Sequence, residues 1–279
     1  MSSPDPKASQ EARLLRYTDT YHYLWGDPAS KQVIDWYYAS SPKLHVAMFS
    51  LAPGAHWKHS DTHKAYYGAD ECYYLWQGSL TFHNPKTGEV VVVNEGEALH
   101  FRQGTWHYGY NFTSSEVLIV CGFAPPPENI ASAAELARDV PPLNEVRGGR
   151  YELLGNWPWN AEKISAGQTI KVLRPSDWLH LIQGEKSPLR VSLFVSTGNL
   201  TMGTFSLLPG TVCEPETHPG DLVAFVAAGR VNVYLPDKSE WIEVNARDGC
   251  FIPEGVRYQY ANTCEQPGRV IFAVAPRYL

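Results

Sequence analysis

The sequence predicts an all-β protein built from two copies of one unit. Short apolar or alternating runs recur along the chain: LHVAMFSLA, CYYLWQGSLTFHN, EVVVVNEG, ALHFR and EVLIVCGFAP. PG, NPKTGE, NEGE and TSSE turns separate them, which is hairpin spacing. The second half then repeats the first. FSLAPG (Phe49 to Gly54) returns as FSLLPG (Phe205 to Gly210), and GSLTFHNPKTGEVVVV returns as GRVNVYLPDKSEWIEV. HFRQGTWHYGYN returns as FIPEGVRYQYAN, placing His107 opposite Tyr258 and Asn111 opposite Asn262. An internal repeat of this length indicates two copies of one fold.

Taken in order, the N-terminal stretch MSSPDPKASQEARLL is polar, with no apolar core of a signal peptide, and reads as a loose arm or a short helix. It opens an N-terminal unit over residues 1–126. PENIASAAELARDV, near 127–140, is the one convincing helix pattern, and the Pro- and Gly-rich PPLNEVRGGRYELLGNWPWN continues a connector over 127–160. The second unit occupies 161–279. Repeated short strands with Gly turns close into a sandwich or barrel, which removes sheet edges.

Composition narrows the partners. Hydrophobic residues make up 44% and charged residues 19%, ample for a buried core. A net charge of −6 with scattered Lys and Arg argues against nucleic acid. No apolar run approaches membrane-spanning length. The five cysteines are odd in number and form no C-x-x-C, which fits reduced, buried thiols and a cytoplasmic location. Nine Trp and sixteen Tyr favour strands, and most are expected simply to pack.

The chemistry concentrates between Gly54 and Asn111. ECYYLWQG carries Glu71, GEALHFRQGTWHYGYN carries His107, and GAHWKHSDTHK adds His56, His59 and His63. Imidazole and carboxylate together are what a borderline divalent ion such as Fe, Mn, Ni or Zn needs. The pattern G-x5-H-x-H-x3–4-E-x6-G, followed by G-x5-P-x-G-x2-H-x3-N, marks the cupin superfamily. The first half resembles it from Gly54 to Asn111, with Arg102 in place of the Pro, and the second half from Gly210 to Asn262. The resemblance implies a bicupin: two tandem double-stranded β-helix (jelly-roll) barrels joined by a short helix. It also implies ligands drawn from two His on one strand, a Glu on the next and a His beyond a turn.

The two halves differ in those slots. In the second they read Glu216, His218, Leu222 and Tyr258; leucine cannot bind a cation, neutral tyrosine is a poor ligand, and Asp221 is out of step by one. The second barrel is therefore expected to be metal-free. In the first, Glu71 and His107 sit in their slots. Glu71 lies seventeen residues beyond Gly54, whereas Leu222 lies twelve beyond Gly210, a difference of five. The H-x-H is missing, and His59 and His63 flank what reads as a bulge or loop, which can re-aim side chains. The expected metal ligands are His59, His63, Glu71 and His107, with His56 or Asp61 as competitors. His22, His45, His83 and His180 read as ordinary histidines.

Three histidines and one carboxylate leave coordination positions open for water, O₂ or a bidentate substrate. Strand parity from Glu71 turns Tyr73 and Leu75 inward, and Tyr73 joins His100 and Arg102 as candidate catalytic residues. His100 is a candidate base against its reading as an ordinary strand histidine, and Arg102 a carboxylate binder against a solvated turn arginine. The expected activity is that of an Fe(II) dioxygenase cleaving a small oxygenated, aromatic substrate, an arrangement resembling cupin ring-cleaving dioxygenases. The alternatives are a non-redox isomerase, decarboxylase or lyase using Mn, Ni or Zn, and a non-catalytic ligand-binding module. The expected partner is a small molecule, with a homodimer compatible with the composition.

Overall fold

The computed structural model describes residues 11–26, 33–58, 67–126, 154–155, 157–162 and 167–279. In the first half the strands are β1 (Arg13–Leu15), β2 (Tyr21–Trp25), β3 (Val33–Ser40), β4 (His45–Leu51), β5 (His56–Trp57) and β6 (Asp70–Gln77). They continue as β7 (Ser79–Asn84), β8 (Glu89–Asn94), β9 (Ala98–Phe101), β10 (Tyr108–Tyr110) and β11 (Val117–Ala124). The second half holds β12 (Ile170–Leu173), β13 (Leu179–Gln183), β14 (Leu189–Ser196), β15 (Thr201–Leu207) and β16 (Asp221–Ala228). It ends with β17 (Arg230–Leu235), β18 (Glu240–Asn245), β19 (Gly249–Ile252), β20 (Gln259–Ala261) and β21 (Gly268–Ala275). The expected linking helix at 127–140 lies outside the described residues. No helix among the described residues is long and apolar enough to cross a membrane.

Each half closes a seven-stranded sheet over a smaller one. In the first barrel the order β12-β9-β6-β11-β4-β3-β2 faces β5-β10-β7-β8. In the second, β1-β19-β16-β21-β15-β14-β13 faces β18-β17-β20. The expected all-β double barrel is therefore the observed fold. Strand pairing also crosses between the units: β1 adds to the second barrel beside β19, and β12 adds to the first beside β9.

Two interior cores and one shared core hold this arrangement. Glu71, Tyr73 and Leu75 of β6 point into the first barrel, as parity predicts. Cys72, Tyr74 and Trp76 point the other way, into a core that also holds Phe194, Met202, Phe225 and Ala273 of the second barrel. The two large sheets thus pack face to face, and their central strands are buried on both sides, which is why β6, β11, β16 and β21 read as nearly continuous apolar runs. Tyr74 stacks on Phe194 at 4.9 Å. Hairpin turns reach across reciprocally: Asp70 accepts from Thr197 Oγ1 at 2.8 Å and Asn199 Nδ2 at 2.9 Å, while Asp221 lies 3.7 Å from Lys43 Nζ.

The repeated asparagines are structural. Asn111 Nδ2 donates to the carbonyls of Leu51 (3.0 Å) and Ser115 (2.7 Å), and Asn262 Nδ2 to those of Leu207 (2.9 Å) and Gln266 (2.8 Å). Each also ties down the turn glycine of its repeat, Gly54 (φ +69°) or Gly210 (φ +75°), a left-handed conformation that favours glycine.

Candidate functional site

A cavity of about 80 Å³ opens in the first barrel, lined in part by Asp35, Tyr37, His45, Trp57, Tyr67, Tyr73, His107 and Cys121. Two short side chains, Ala47 and Cys121, pair across β4 and β11 in a row whose other members are Tyr73 and Tyr37, which leaves space beside them. Gly109 matters here for close approach. A Cβ at that position would lie 2.1 Å from the Trp57 ring, so glycine lets the indole lie flat against β10 as the cavity wall.

His107 lines this cavity, and Glu71 meets it from behind. Glu71 projects inward from β6, and the turn after β9 returns His107 opposite it, with Glu71 Oε1 3.6 Å from His107 Nε2. His107 Nδ1 lies 3.1 Å from the Thr105 carbonyl, which makes Nδ1 the protonated nitrogen and leaves the Nε2 lone pair facing the carboxyl. Phe101 stacks on the imidazole at 4.1 Å and fixes its plane. The Tyr73 hydroxyl is 3.5 Å from Nε2. Burial pushes the Glu71 carboxyl up to about 8, and the Tyr73 hydroxyl, as a hydrogen-bond donor, draws it part-way back. Burial likewise pushes His107 down to about 4. The bare pair is uncharged at neutral pH, and Glu71 Oε1 is buried with no hydrogen-bond partner.

The other expected site residues are dispersed. His59, His63 and Asp61 lie outside the described residues. His56 alternates with the inward Trp57 on β5 and stacks on Tyr110 at 5.9 Å, on the outer face of the small sheet, so it does not share the cavity. His100 also points away: it pairs with Cys72 on the inter-barrel face, and its Nε2 is 3.7 Å from Asp70. Sheet parity therefore corrects its expected role as a base toward the cavity. Arg102 is exposed in the turn that Thr105 N closes onto its carbonyl. It is the solvated turn arginine, and the carboxylate-binding role is corrected. Of the three candidate catalytic residues, only Tyr73 reaches the cavity.

The missing H-x-H also has a geometric explanation. Gly104 N donates to the Tyr67 carbonyl at 2.8 Å, just as Gly255 N donates to the His218 carbonyl at 3.0 Å. Trp57 pairs with Gly109 on β10, and Cys213 N binds the carbonyl of Tyr260 at the matching place. The five extra residues therefore all fall between Trp57 and Tyr67, the stretch that carries His59 and His63. Tyr67 occupies the slot that His218 fills in the second barrel, its ring 6.2 Å from that of His107. The described residues thus supply two strong donors, and no group of three His, Cys, Asp or Glu suited to a metal occurs among them. The orphaned Glu71 oxygen fits a cation.

The sequence reading missed Asp35, Tyr37 and His45 of the cavity wall. For Asp35 a signal existed: in VIDWYY it alternates with Val33 and Tyr37 on one strand face. His45, an ordinary histidine by its sequence context, lines the cavity with its ring 4.8 Å from Tyr37.

The second barrel is closed. Leu222 fills the slot of Glu71, and its remaining void is about 10 Å³. His218 Nδ1 donates to the Tyr278 carbonyl at 2.7 Å, and its Nε2 accepts from the Tyr258 hydroxyl at 2.6 Å. Both nitrogens are thereby used, and the Tyr278 ring covers the imidazole at 4.6 Å. Asp221 points to the inter-barrel face, as its parity predicts.

Residues 203–274, β15 through β21, match the cupin domain family (Cupin_2). The fold is the cupin fold. Solved structures with the same architecture include a putative glyoxylate-induced protein from Pseudomonas aeruginosa, with a TM-score of 0.65 and 15% identity over 97% of this chain and 91% of that one. A deletion mutant of Bacillus subtilis oxalate decarboxylase aligns with a TM-score of 0.63 and 15% identity, over 97% of this chain and 78% of its own. AerE from Microcystis aeruginosa aligns with a TM-score of 0.59 and 9% identity over 92% and 98%. At these identities the likeness concerns the fold. No curated protein matches the sequence. The family match lies on the closed cupin barrel, whose spacing lacks the insertion; the first barrel repeats its strand order and carries the open site.

Proposed function

We propose that the first barrel is the active site of a metal-dependent enzyme acting on a small oxygenated compound. Glu71 and His107 would be the fixed ligands, with His59 and His63 completing the set. The observation that carries this reading is the enclosed Oε1 of Glu71, unpartnered and facing an imidazole whose other nitrogen is already tied. Burying a polar atom without a partner costs free energy, and a cation would satisfy it. Chain connectivity supports the remaining ligands. Trp57 and Tyr67 both line the cavity, so His59 and His63 start no more than about 7 and about 14 Å of chain from its wall.

A bound divalent ion would supply Lewis acidity or, as Fe(II), redox chemistry toward O₂. The chain's own contribution is orientation and proton control. The Thr105 carbonyl holds the His107 tautomer, and the Tyr73 hydroxyl, at the cavity edge, can pass a proton to or from a bound oxygen. The aromatic wall excludes water and suits the apolar body of a substrate, which favours the Fe(II) dioxygenase. The cavity volume favours the second reading, non-redox conversion of a smaller compound with Mn, Ni or Zn: about 80 Å³ is roughly half of an engineered cavity that takes benzene.

Elemental analysis of protein purified without added metal tests the site. About one equivalent is expected in the wild type, with most of it lost in His107→Ala, His59→Ala and His63→Ala. Metal content unchanged in the His59 and His63 variants would remove them as ligands, and a wild type that stays empty after dialysis against Fe, Mn, Ni and Zn would remove the metal reading. Oxygen uptake by Fe-loaded protein across catechols, gentisate and diketones separates the two chemistries.

A further inference from the structure

The cavity has a second polar end that the metal slots do not use. Register rows run across the large sheet as Tyr73–Cys121–Ala47–Tyr37 and Leu75–Ile119–Phe49–Asp35. Three strand spacings separate β6 from β3, about 14 Å along the curved sheet, so Asp35 stands on the wall away from Glu71. Asp35, Tyr37 and His45 all line the cavity. The second barrel shows what this position looks like when it only packs. Val191 pairs with Phe205 as Asp35 pairs with Phe49, and Leu193 pairs with Gly203 as Tyr37 pairs with Ala47. Both counterparts are buried and apolar. The barrel therefore folds without a carboxyl here, and keeping one in a partly buried cavity wall carries a desolvation cost that packing does not explain.

We propose that Asp35, with Tyr37 beside it, recognises the end of the bound molecule remote from Glu71 and His107, and that this end is an uncharged carbonyl, hydroxyl or amide. Burial holds the Asp35 carboxyl well above the usual carboxylate range, so at neutral pH it both donates and accepts a hydrogen bond. An amide or hydroxy-carbonyl matches that pair of roles. A carboxylate would have to give up its hydration to face a neutral acid in this partly buried wall, and burying a charge without a counter-charge is costly. The inference rests on the reading of the cavity as a small-molecule site and is independent of the metal.

Acetamide and acetate, isosteres of four heavy atoms, separate the outcomes. Their binding to metal-free full-length protein at pH 7 is followed by saturation-transfer NMR and titration. The wild type is expected to bind acetamide at least tenfold more tightly than acetate. Asp35→Asn should keep acetamide within about threefold. Asp35→Val, which installs the residue the second barrel tolerates, should lose it tenfold or more without a lower melting temperature. Equal binding of the two probes, or acetamide affinity retained in Asp35→Val, overturns the role of Asp35 while leaving the cavity a ligand site. Saturable binding of neither probe to the wild type overturns both.

Discussion

Replacing Glu71 by glutamine should change stability with opposite signs in the metal-free and metal-loaded protein. The amide has the same shape, so packing is preserved and only the carboxyl chemistry changes. In the metal-free protein burial pushes Glu71 up to about 8, above the ordinary glutamate value in the unfolded chain. A raised carboxyl contributes its full stability below about pH 4.5, and that contribution is lost as pH rises toward 8. At pH 7 the loss is about 3 kcal/mol, from roughly two and a half pH units at 1.36 kcal/mol each. Glu71→Gln removes this penalty, so the metal-free variant should be more stable than the wild type by up to that amount. His107, pushed down to about 4 by burial, has the opposite pH slope, but it is common to both proteins and cancels in the difference. With metal bound, Glu71 becomes a ligand and its loss should destabilise, because stabilisation by a bound ion scales with its affinity. Urea unfolding at pH 5 and pH 7, in chelator and in saturating metal, measures the four differences. A variant less stable than the wild type in chelator at pH 7, or the same sign in both conditions, would refute the argument.

Three further outcomes follow. Tyr258→Phe removes the hydroxyl that donates to His218 Nε2 at 2.6 Å, so denaturant unfolding should show a loss of about 1–3 kcal/mol with metal content unchanged. Gly109→Ala would drive a methyl into the Trp57 ring; a loss of about 1–3 kcal/mol should accompany weaker ligand binding in the first barrel. Burial raises Glu216 to about 6, so its contribution is complete below about pH 4.5 and lost through pH 6. Glu216→Gln should therefore melt at the wild-type temperature at pH 4 and above it at pH 7, and an equal shift at both pH values would contradict this.

The fold was legible because its signals are local. Period-two apolar runs, turn chemistry and the FSLAPG/FSLLPG repeat specify strands without reference to their neighbours, and parity from Glu71 placed Tyr73 and Leu75 inside. Glu71 and His107 were legible because each sits at a fixed offset from a turn glycine. His100 failed the same test: it lies one strand over from Glu71, and its face depends on the antiparallel pairing of Cys72 with His100, which the linear sequence does not display. His45 carries no motif, and the alternation of Asp35 with Val33 and Tyr37 marks a strand face without marking its importance, which comes from facing a void that Ala47 and Cys121 leave.

By itself, then, the sequence determined two all-β barrels and an unequal division of metal-ligand chemistry between them, since both follow from residue type and short-range spacing. Only the tertiary structure decided which side of each sheet a residue faces, that Tyr67 holds the slot of an imidazole, that strands β1 and β12 cross between barrels, and that Asp35 closes the far wall of the cavity. Those depend on register between strands distant in sequence, where a shift of one residue moves every side chain to the opposite face.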